Sequence, residues 1–262
     1  MKNSELTYTE IYGQPVSFQA VNDTFDTIFK TLDEVFAEKY DEVIFTGCGT
    51  SLYLAQASAH AFSTCTGISA KGMCCSELYY FPETYVGNGK KVLVVPMTRK
   101  SYTTEVRMAI DKVRSYPGVK SLAITCDPDS SKYNDYMLLS PETPEDSVIM
   151  TRSFTSMIYL AVVMSYYVGG KKEKIEQLKD YAANAESFLK ATDEMAKKIV
   201  AEHPECNLFI TLGQGINYGI ANECMNKMKE MSLSNSEAYY TLEYRHGPMS
   251  VVDDKTLILL FG

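Results

Sequence analysis

The sequence predicts an α/β protein with parallel sheets, and three observations carry that prediction. Apolar runs of strand length alternate with segments of helical periodicity. One run, Lys91-Val92-Leu93-Val94-Val95-Pro96, is continuously apolar past its charged edge, as a strand covered on both faces must be. A strand, a Gly-x-Gly turn and a helix start occur twice, at Asp41 to Ser51 and again at Asn207 to Ile216, so the fold reads as an internal duplication.

Taken in order, Thr7 to Ala37 carries Val16, Phe18, Val21, Phe25, Ile28, Phe29, Leu32 and Phe36 at helical spacing, with a break at Pro15. This predicts a helical arm over residues 1–37 that must pack on something. The first domain, 38–170, opens with Asp41-Glu42-Val43-Ile44-Phe45-Thr46, the turn Gly47-Cys48-Gly49-Thr50-Ser51 and a helix to about Thr64. A short strand near Ile68 to Met73 follows, then Glu77 to Phe81, ended by Pro82. After Lys91 to Pro96 comes a hydroxyl-rich loop, Met97 to Glu105, and a helix through Val106, Ile110 and Val113. Ser121 to Cys126 and Tyr136 to Ser140 read as further strands. Pro141 to Ser147 is a turn-rich acidic link into the uncharged stretch Ser153 to Gly170. Four Ser and Thr residues and three tyrosines in that stretch suit a helix buried in protein better than a membrane span.

Lys172 to Ala201 is amphipathic and predicts a connecting helix over 171–203. The second domain, 204–262, repeats strand, turn and helix at Asn207 to Leu212, Gly213-Gln214-Gly215 and Ile216 to Met231. Thr256 to Phe261 reads as its third strand. A parallel sheet wants more strands than that, so the copy is expected to be partial, continued beyond Gly262 or completed by a neighbour.

Composition narrows the function. A net charge of -8 with scattered basic residues argues against a nucleic-acid partner. Seven cysteines, an odd number without a CxxC pair or zinc spacing, predict a reducing, cytoplasmic setting and no metal. The polar start, Met1 to Glu10, is not a secretory signal.

Ligands of such sheets sit where loops meet at the carboxyl ends of the strands. Two loops meet there, Cys48 to Ser51 and Thr98 to Thr103. They offer the hydroxyls of Thr50, Ser51, Thr98, Ser101, Thr103 and Thr104, the charge of Lys100, the close approach allowed by Gly49, and two helix starts. That composition suits a phosphate. No Walker lysine motif is present and Gly-x-Gly-x-x-Gly is not completed, so neither a nucleoside triphosphate nor a dinucleotide cofactor is expected.

Four elements, Gly47-Cys48-Gly49-Thr50-Ser51, the loop ending Thr103-Thr104-Glu105, Thr151 to Ser156, and Glu243-Tyr244-Arg245-His246-Gly247-Pro248, together resemble the sugar isomerase (SIS) domain family. They stand in the order of its double-domain members, and the likeness extends to its aminotransferase, ketose/aldose isomerase and amino-sugar phosphate deaminase branches. Glu10-Ile11-Tyr12-Gly13-Gln14-Pro15 also resembles the segment that precedes the first domain there. The resemblance implies two αβα sandwich domains, the second partial, and a phosphosugar held by the first. Cys48, Gly49, Thr50, Ser51, Thr98, Lys100, Ser101 and Thr103 fall on or beside its phosphate-contact positions. The family's second loop usually reads Ser-x-Ser-Gly. Here it is Thr98-Arg99-Lys100-Ser101, which loses the glycine and gains a charge.

The same resemblance implies proton transfer by Glu230, with Lys227 beside it, and ring opening by His246. It also implies a homodimer sharing its active site, with no cofactor. From the residues alone, Glu223, Lys227 and Glu230 lie on one helix face, opposite Ile220, Cys224, Met228 and Met231, which suits a solvated, salt-bridged surface. His246 stands in a turn set by Gly247-Pro248, after the charged pair Glu243 and Arg245, and is the histidine suited to proton transfer. His60 and His203 read as structural or surface residues. The expected activity is therefore ketose/aldose phosphate isomerisation by C1/C2 proton transfer. An amino-sugar phosphate deaminase or fructosamine phosphate deglycase is the near alternative, and a non-catalytic phosphosugar sensor the distant one.

Overall fold

The computed structural model describes residues 3–87 and 89–262. The chain divides into two compact units, Met1–Ala183 and Asn184–Gly262.

The first unit opens with three helices, α1 (Asn3–Tyr12), α2 (Gln14–Asn22) and α3 (Phe25–Phe36). Pro15 falls in the first turn of α2, where its missing N–H removes no helical bond. The chain then alternates through β1 (Glu42–Gly47), α4 (Thr50–Thr66), β2 (Ala70–Cys74), α5 (Cys75–Tyr80), α6 (Pro82–Val86), β3 (Val92–Thr98), α7 (Thr104–Val113), β4 (Val119–Thr125), β5 (Tyr136–Leu139) and α8 (Arg152–Val168). The five strands form one parallel sheet in the order β2-β1-β3-β4-β5. β1 and β3 are buried along their whole length, which is why they are continuously apolar.

α8 is the uncharged stretch, and it is buried against α4. Its hydroxyls are satisfied internally: Ser165 donates to the Ala161 carbonyl at 2.7 Å, and Ser156 shares a hydrogen bond with Ser140. Among the described residues no helix is long and apolar enough to cross a membrane. The leading helices lie on α8. Phe29 stacks on Tyr167 with ring centroids 4.2 Å apart, Phe18 on Tyr159 at 5.1 Å, and the Tyr159 hydroxyl donates to Asn22. Val16 is exposed, against the sequence expectation, because the helix breaks at Gly13 and α2 turns Ser17, Phe18 and Val21 inward.

α9 (Lys172–Glu202) runs across the division between the units. Of its apolar stripe, Ile175, Ala182 and Ala185 are buried, whereas Phe188 and Met195 are exposed. The second unit continues with β6 (Leu208–Gly213), α10 (Ile216–Ser232), β7 (Asn235–Tyr240) and β8 (Thr256–Phe261), a parallel sheet ordered β7-β6-β8. β7 reads Asn-Ser-Glu-Ala-Tyr-Tyr and carries no apolar run, so no strand was legible there. In the sheet it takes the place of β2, which makes Thr256–Phe261 the third strand.

The two units repeat in register. Phe209 pairs Ser236 as Val43 pairs Ala70, and Gly213 pairs Tyr240 as Gly47 pairs Cys74, with the same chain separation throughout. The turns repeat as well. Gly49 has φ 56° and ψ -128°, and Gly215 has φ 61° and ψ -128°, a conformation open only to glycine. A Cβ on Gly47 would lie 2.5 Å from the Ser51 backbone, and one on Gly213 2.1 Å from that of Asn217, so each strand must pass its helix with no side chain between.

Candidate functional site

In the first sheet the connections leave β1 and β3 in opposite directions, toward β2 and β4. The carboxyl ends of β1 and β3 therefore flank the switch point of the sheet, where a crevice must open. A cavity of about 180 Å³ lies there, lined by Cys48 and Ser51 from the first loop, Thr98, Arg99, Lys100, Tyr102 and Thr103 from the second, and Val106 and Met150.

Five predicted residues, Cys48, Ser51, Thr98, Lys100 and Thr103, thus share one cavity wall. Three others do not line it. Gly49 caps α4, Thr50 is buried in its first turn, and Ser101 turns to Asp127, whose Oδ2 accepts from its amide at 2.9 Å and its hydroxyl at 2.6 Å. Burial would raise the Asp127 carboxyl, but the Ser101 and Asp129 donors outweigh it and hold the group below its ordinary range. Fewer helix-start amides face the cavity than expected, because Ser51 N–H donates to the Cys48 carbonyl and Leu52 N–H to that of Gly49. The absent glycine of the second loop demands nothing, since no residue from Thr98 to Thr103 has a positive φ. Thr98 and Thr103 instead donate to the Lys100 carbonyl, at 2.7 and 3.3 Å, and so shape the loop by their hydroxyls.

The charge balance is asymmetric. Arg99 is paired with Glu145 at 2.9 Å and donates to the carbonyls of Ser147 and Val148. Lys100 is exposed and its Nζ lies 5.8 Å from the Tyr102 ring centroid, so it brings a positive charge to the rim. Glu145 is the buried hub. Besides Arg99 it accepts from the Thr151 amide at 2.7 Å, the Thr151 hydroxyl at 3.0 Å, the Ser153 amide at 3.0 Å and the Ser153 hydroxyl. It therefore joins the start of α8 to the second loop. Burial pushes its carboxyl up, yet these donors, led by the Ser153 hydroxyl, more than compensate and depress it. Glu10 extends the brace, its Oε1 accepting from the amides of Asp146 and Ser147 at 2.8 and 3.1 Å. Glu145 and Asp127 carried no sequence signal, because the contacts that tie them to the second loop, Arg99 and Ser101, lie 46 and 26 residues away and only folding brings them together.

The second unit holds the remaining candidates. On α10, Lys227 bridges Glu223 at 2.8 Å and Glu230 at 2.7 Å. The face is not the solvated one expected: the Glu223 side chain is 7% exposed and that of Lys227 19%, and only Glu230, at 41%, reaches far into solvent. The apolar residues opposite are half-buried or, in Met231, exposed. His246 is exposed at the end of a short helical turn, with its N–H on the Glu243 carbonyl at 2.9 Å and Gly247 at φ 117° after it. Among the described residues no ion pair joins it to Glu243. Tyr244 is buried with Ile210 and Leu212 and anchors the turn. A groove of about 710 Å³ lies at the amino ends of β6 and β7, lined in part by Lys229 and Leu233 at the end of α10, and Lys227, Glu230 and His246 do not line it. His60 and His203 are exposed, as expected.

Residues 37–168 match the SIS domain. The chain belongs to the SIS domain family. The match ends with α8, so it covers the first unit's sheet and cavity and leaves the second unit outside. Similarity to individual proteins reaches further. The chain is 26% identical over 246 residues to a glutamine–fructose-6-phosphate aminotransferase [isomerizing] of Helicobacter pylori, covering 89% of this chain and 40% of that protein. It thus spans about two fifths of the curated relatives it matches. Among solved SIS-like structures, a glucosamine-6-phosphate deaminase from Thermotoga maritima is 27% identical with a TM-score of 0.76, over 93% of this chain and 76% of that one. A tagatose-6-phosphate ketose/aldose isomerase from Escherichia coli shares the fold at a TM-score of 0.86 and 23% identity, over 100% and 75%.

Proposed function

We propose that this protein is a phosphosugar enzyme that interconverts ketose and aldose phosphates by moving a proton between C1 and C2. The observation that carries the reading is the small hydroxyl-lined cavity at the switch point of an SIS sheet, with Lys100 at its rim. A dianionic phosphate would accept from Ser51, and from Thr98 and Thr103 once their hydroxyls rotate off the Lys100 carbonyl, and pair with Lys100, supplying binding energy remote from the reacting carbons.

In this reading Glu230 is the proton carrier. A carboxylate bridged to Lys227 at 2.7 Å can take a proton from one carbon and return it to the next. His246 would exchange the proton of the ring oxygen on opening. The second unit is read as a partial SIS copy, on the strength of its register and of Gly215 repeating Gly49. The proposal includes a homodimer with a shared active site. Its apolar contact surface would not come from the leading helices, whose large side chains are mostly covered by α8; exposed Ile258 and Leu260 on β8 are the better candidates.

A second reading has its own support. The relatives alike by more than fold include a protein named as a glucosamine-6-phosphate deaminase, so the same proton shuttle acting on an amino-sugar phosphate is the alternative.

Proton NMR in deuterated water with hexose, ketohexose and amino-hexose phosphates tests both. Deuterium is expected at C1 or C2, and the product separates isomerase from deaminase. Glu230→Gln should slow the exchange by about 100-fold or more, the usual contribution of a positioned general base. Unchanged exchange in that variant would overturn the role of Glu230. Binding without exchange in the wild type would leave a phosphosugar sensor.

A further inference from the structure

Cys48 lines the candidate cavity, and its side chain also points at another thiol. Gly47 and Cys74 are register partners at the ends of β1 and β2, so the residues that follow them, Cys48 and Cys75, stand side by side just past the ends of neighbouring strands. Parallel neighbours lie about 4.8 Å apart, within the Cα separation a disulfide spans. Thr46 and Cys48 share one face of the chain, and both reach Cys75: the Thr46 hydroxyl donates to Cys75 Sγ at 3.4 Å, and the two thiols share a hydrogen bond. Both pack on the same apolar cluster with Ile44 and Val94. Cys74 is turned elsewhere, its Sγ 3.2 Å from the Ser76 hydroxyl. Access divides the pair, because Cys75 is fully buried and Cys48 is half-buried and open to the cavity.

We propose that Cys48 and Cys75 form a thiol–disulfide exchange pair that takes small organic disulfides, and that closing their bond withdraws the Gly47-Cys48-Gly49 turn from the cavity. The Cys48 thiolate attacks a disulfide R–S–S–R, forming Cys48–S–S–R and releasing RS⁻. The Cys75 sulfur then attacks Cys48 Sγ, the bond to the R–S group breaks, and a second RS⁻ leaves. The two protons of the protein thiols end on the two RS⁻ groups, and two electrons pass from the protein to the disulfide. The hydrogen bond from Cys75 lowers the Cys48 thiol and raises Cys75, so Cys48 is the entry thiol and Cys75 the resolving one.

The exchange chemistry stands on this geometry alone, whereas its effect on ligand binding rests on the phosphosugar reading. The test incubates the intact protein with hydroxyethyl disulfide, maps the linked peptides by mass spectrometry, and measures fructose 6-phosphate and glucosamine 6-phosphate binding before oxidation, after it, and after reduction. The expected result is a Cys48–Cys75 bond and binding weakened about tenfold or more, as misplacement of a positioned loop produces, with recovery on reduction. Cys75→Ala, or Cys75→Val if the cavity left by alanine unfolds the chain, should bind as the wild type does before oxidation and, lacking the resolving thiol, should stop at the Cys48 mixed disulfide with no intramolecular bond. In the wild type, a Cys48 that stays in a mixed disulfide, or pairs with another cysteine, overturns the exchange pair. A mapped Cys48–Cys75 bond with unchanged phosphosugar binding overturns the control. Absence of binding in the reduced protein would count against the phosphosugar reading, and the peptide map would still decide the exchange pair.

Discussion

At the scale of single residues, the buried Glu145 does more for the candidate site than any residue lining it. Its carboxylate gathers donors from Arg99, Thr151 and Ser153, so one side chain sets both the second loop and the start of α8. Removing it strands the Arg99 charge and leaves buried amides without an acceptor. Glu145→Ala is expected to cost about 3–5 kcal/mol of stability, read by urea denaturation. Its pH dependence has a definite sign. The folded-state carboxyl is held below its ordinary value of 4.5, so its stabilisation is complete above that pH. It is lost as the pH falls through the lower folded value. Wild-type stability should therefore drop on acidification below about 4.5, and Glu145→Gln should show a shallower acid limb. An equally steep limb in that variant would assign acid sensitivity to other groups. None of this could be read from the sequence, where Glu145 is one acid in a turn-rich link.

At the scale of elements, the repeated strand-turn-helix is the informative unit. α4 and α10 both end in a left-handed residue, but α4 ends at Gly67, φ 73°, and α10 at Leu233, φ 55°. A leucine in that conformation is strained by its Cβ, and this one is 88% exposed, so it recovers little by packing. Leu233→Gly should stabilise the second unit by about 0.5–1 kcal/mol, the left-handed penalty less the added freedom of glycine in the unfolded chain. A shift of the denaturation midpoint in the opposite direction would show that Leu233 makes an apolar contact in solution. The duplicated glycine turns were legible because glycine alone accepts their backbone. β7 was not legible, because a half-exposed edge strand needs no apolar run.

At the scale of the whole molecule, the two units differ in how much they bury. The first places β1 and β3 entirely inside and covers them with helices. The second has a small cluster of Ile210, Leu212 and Tyr244, and its β8 exposes Ile258 and Leu260. Amide exchange should follow that difference, with protection highest in β1, β3 and β4 and markedly lower in β6 and β8. Equal protection at a concentration where the protein is associated, falling selectively in β8 on dilution, would identify a second copy as its cover. Uniform protection in a strictly monomeric sample would contradict the difference in burial.

The sequence by itself determined the α/β alternation, the two glycine turns and the loops that meet at the head of the first sheet. It did so because strand and helix periodicities and the glycine requirement are local properties of the chain. Tertiary structure decided which loop residues face the cavity. It turned Ser101 away to Asp127, added Arg99, Tyr102 and Met150, and set Glu145 beneath them. It also converted the charged stripe of α10 from a solvated face into a largely buried bridge at Lys227. These are long-range outcomes: a buried carboxylate is tolerable only where folding supplies its donors, and no local pattern announces which donors those will be.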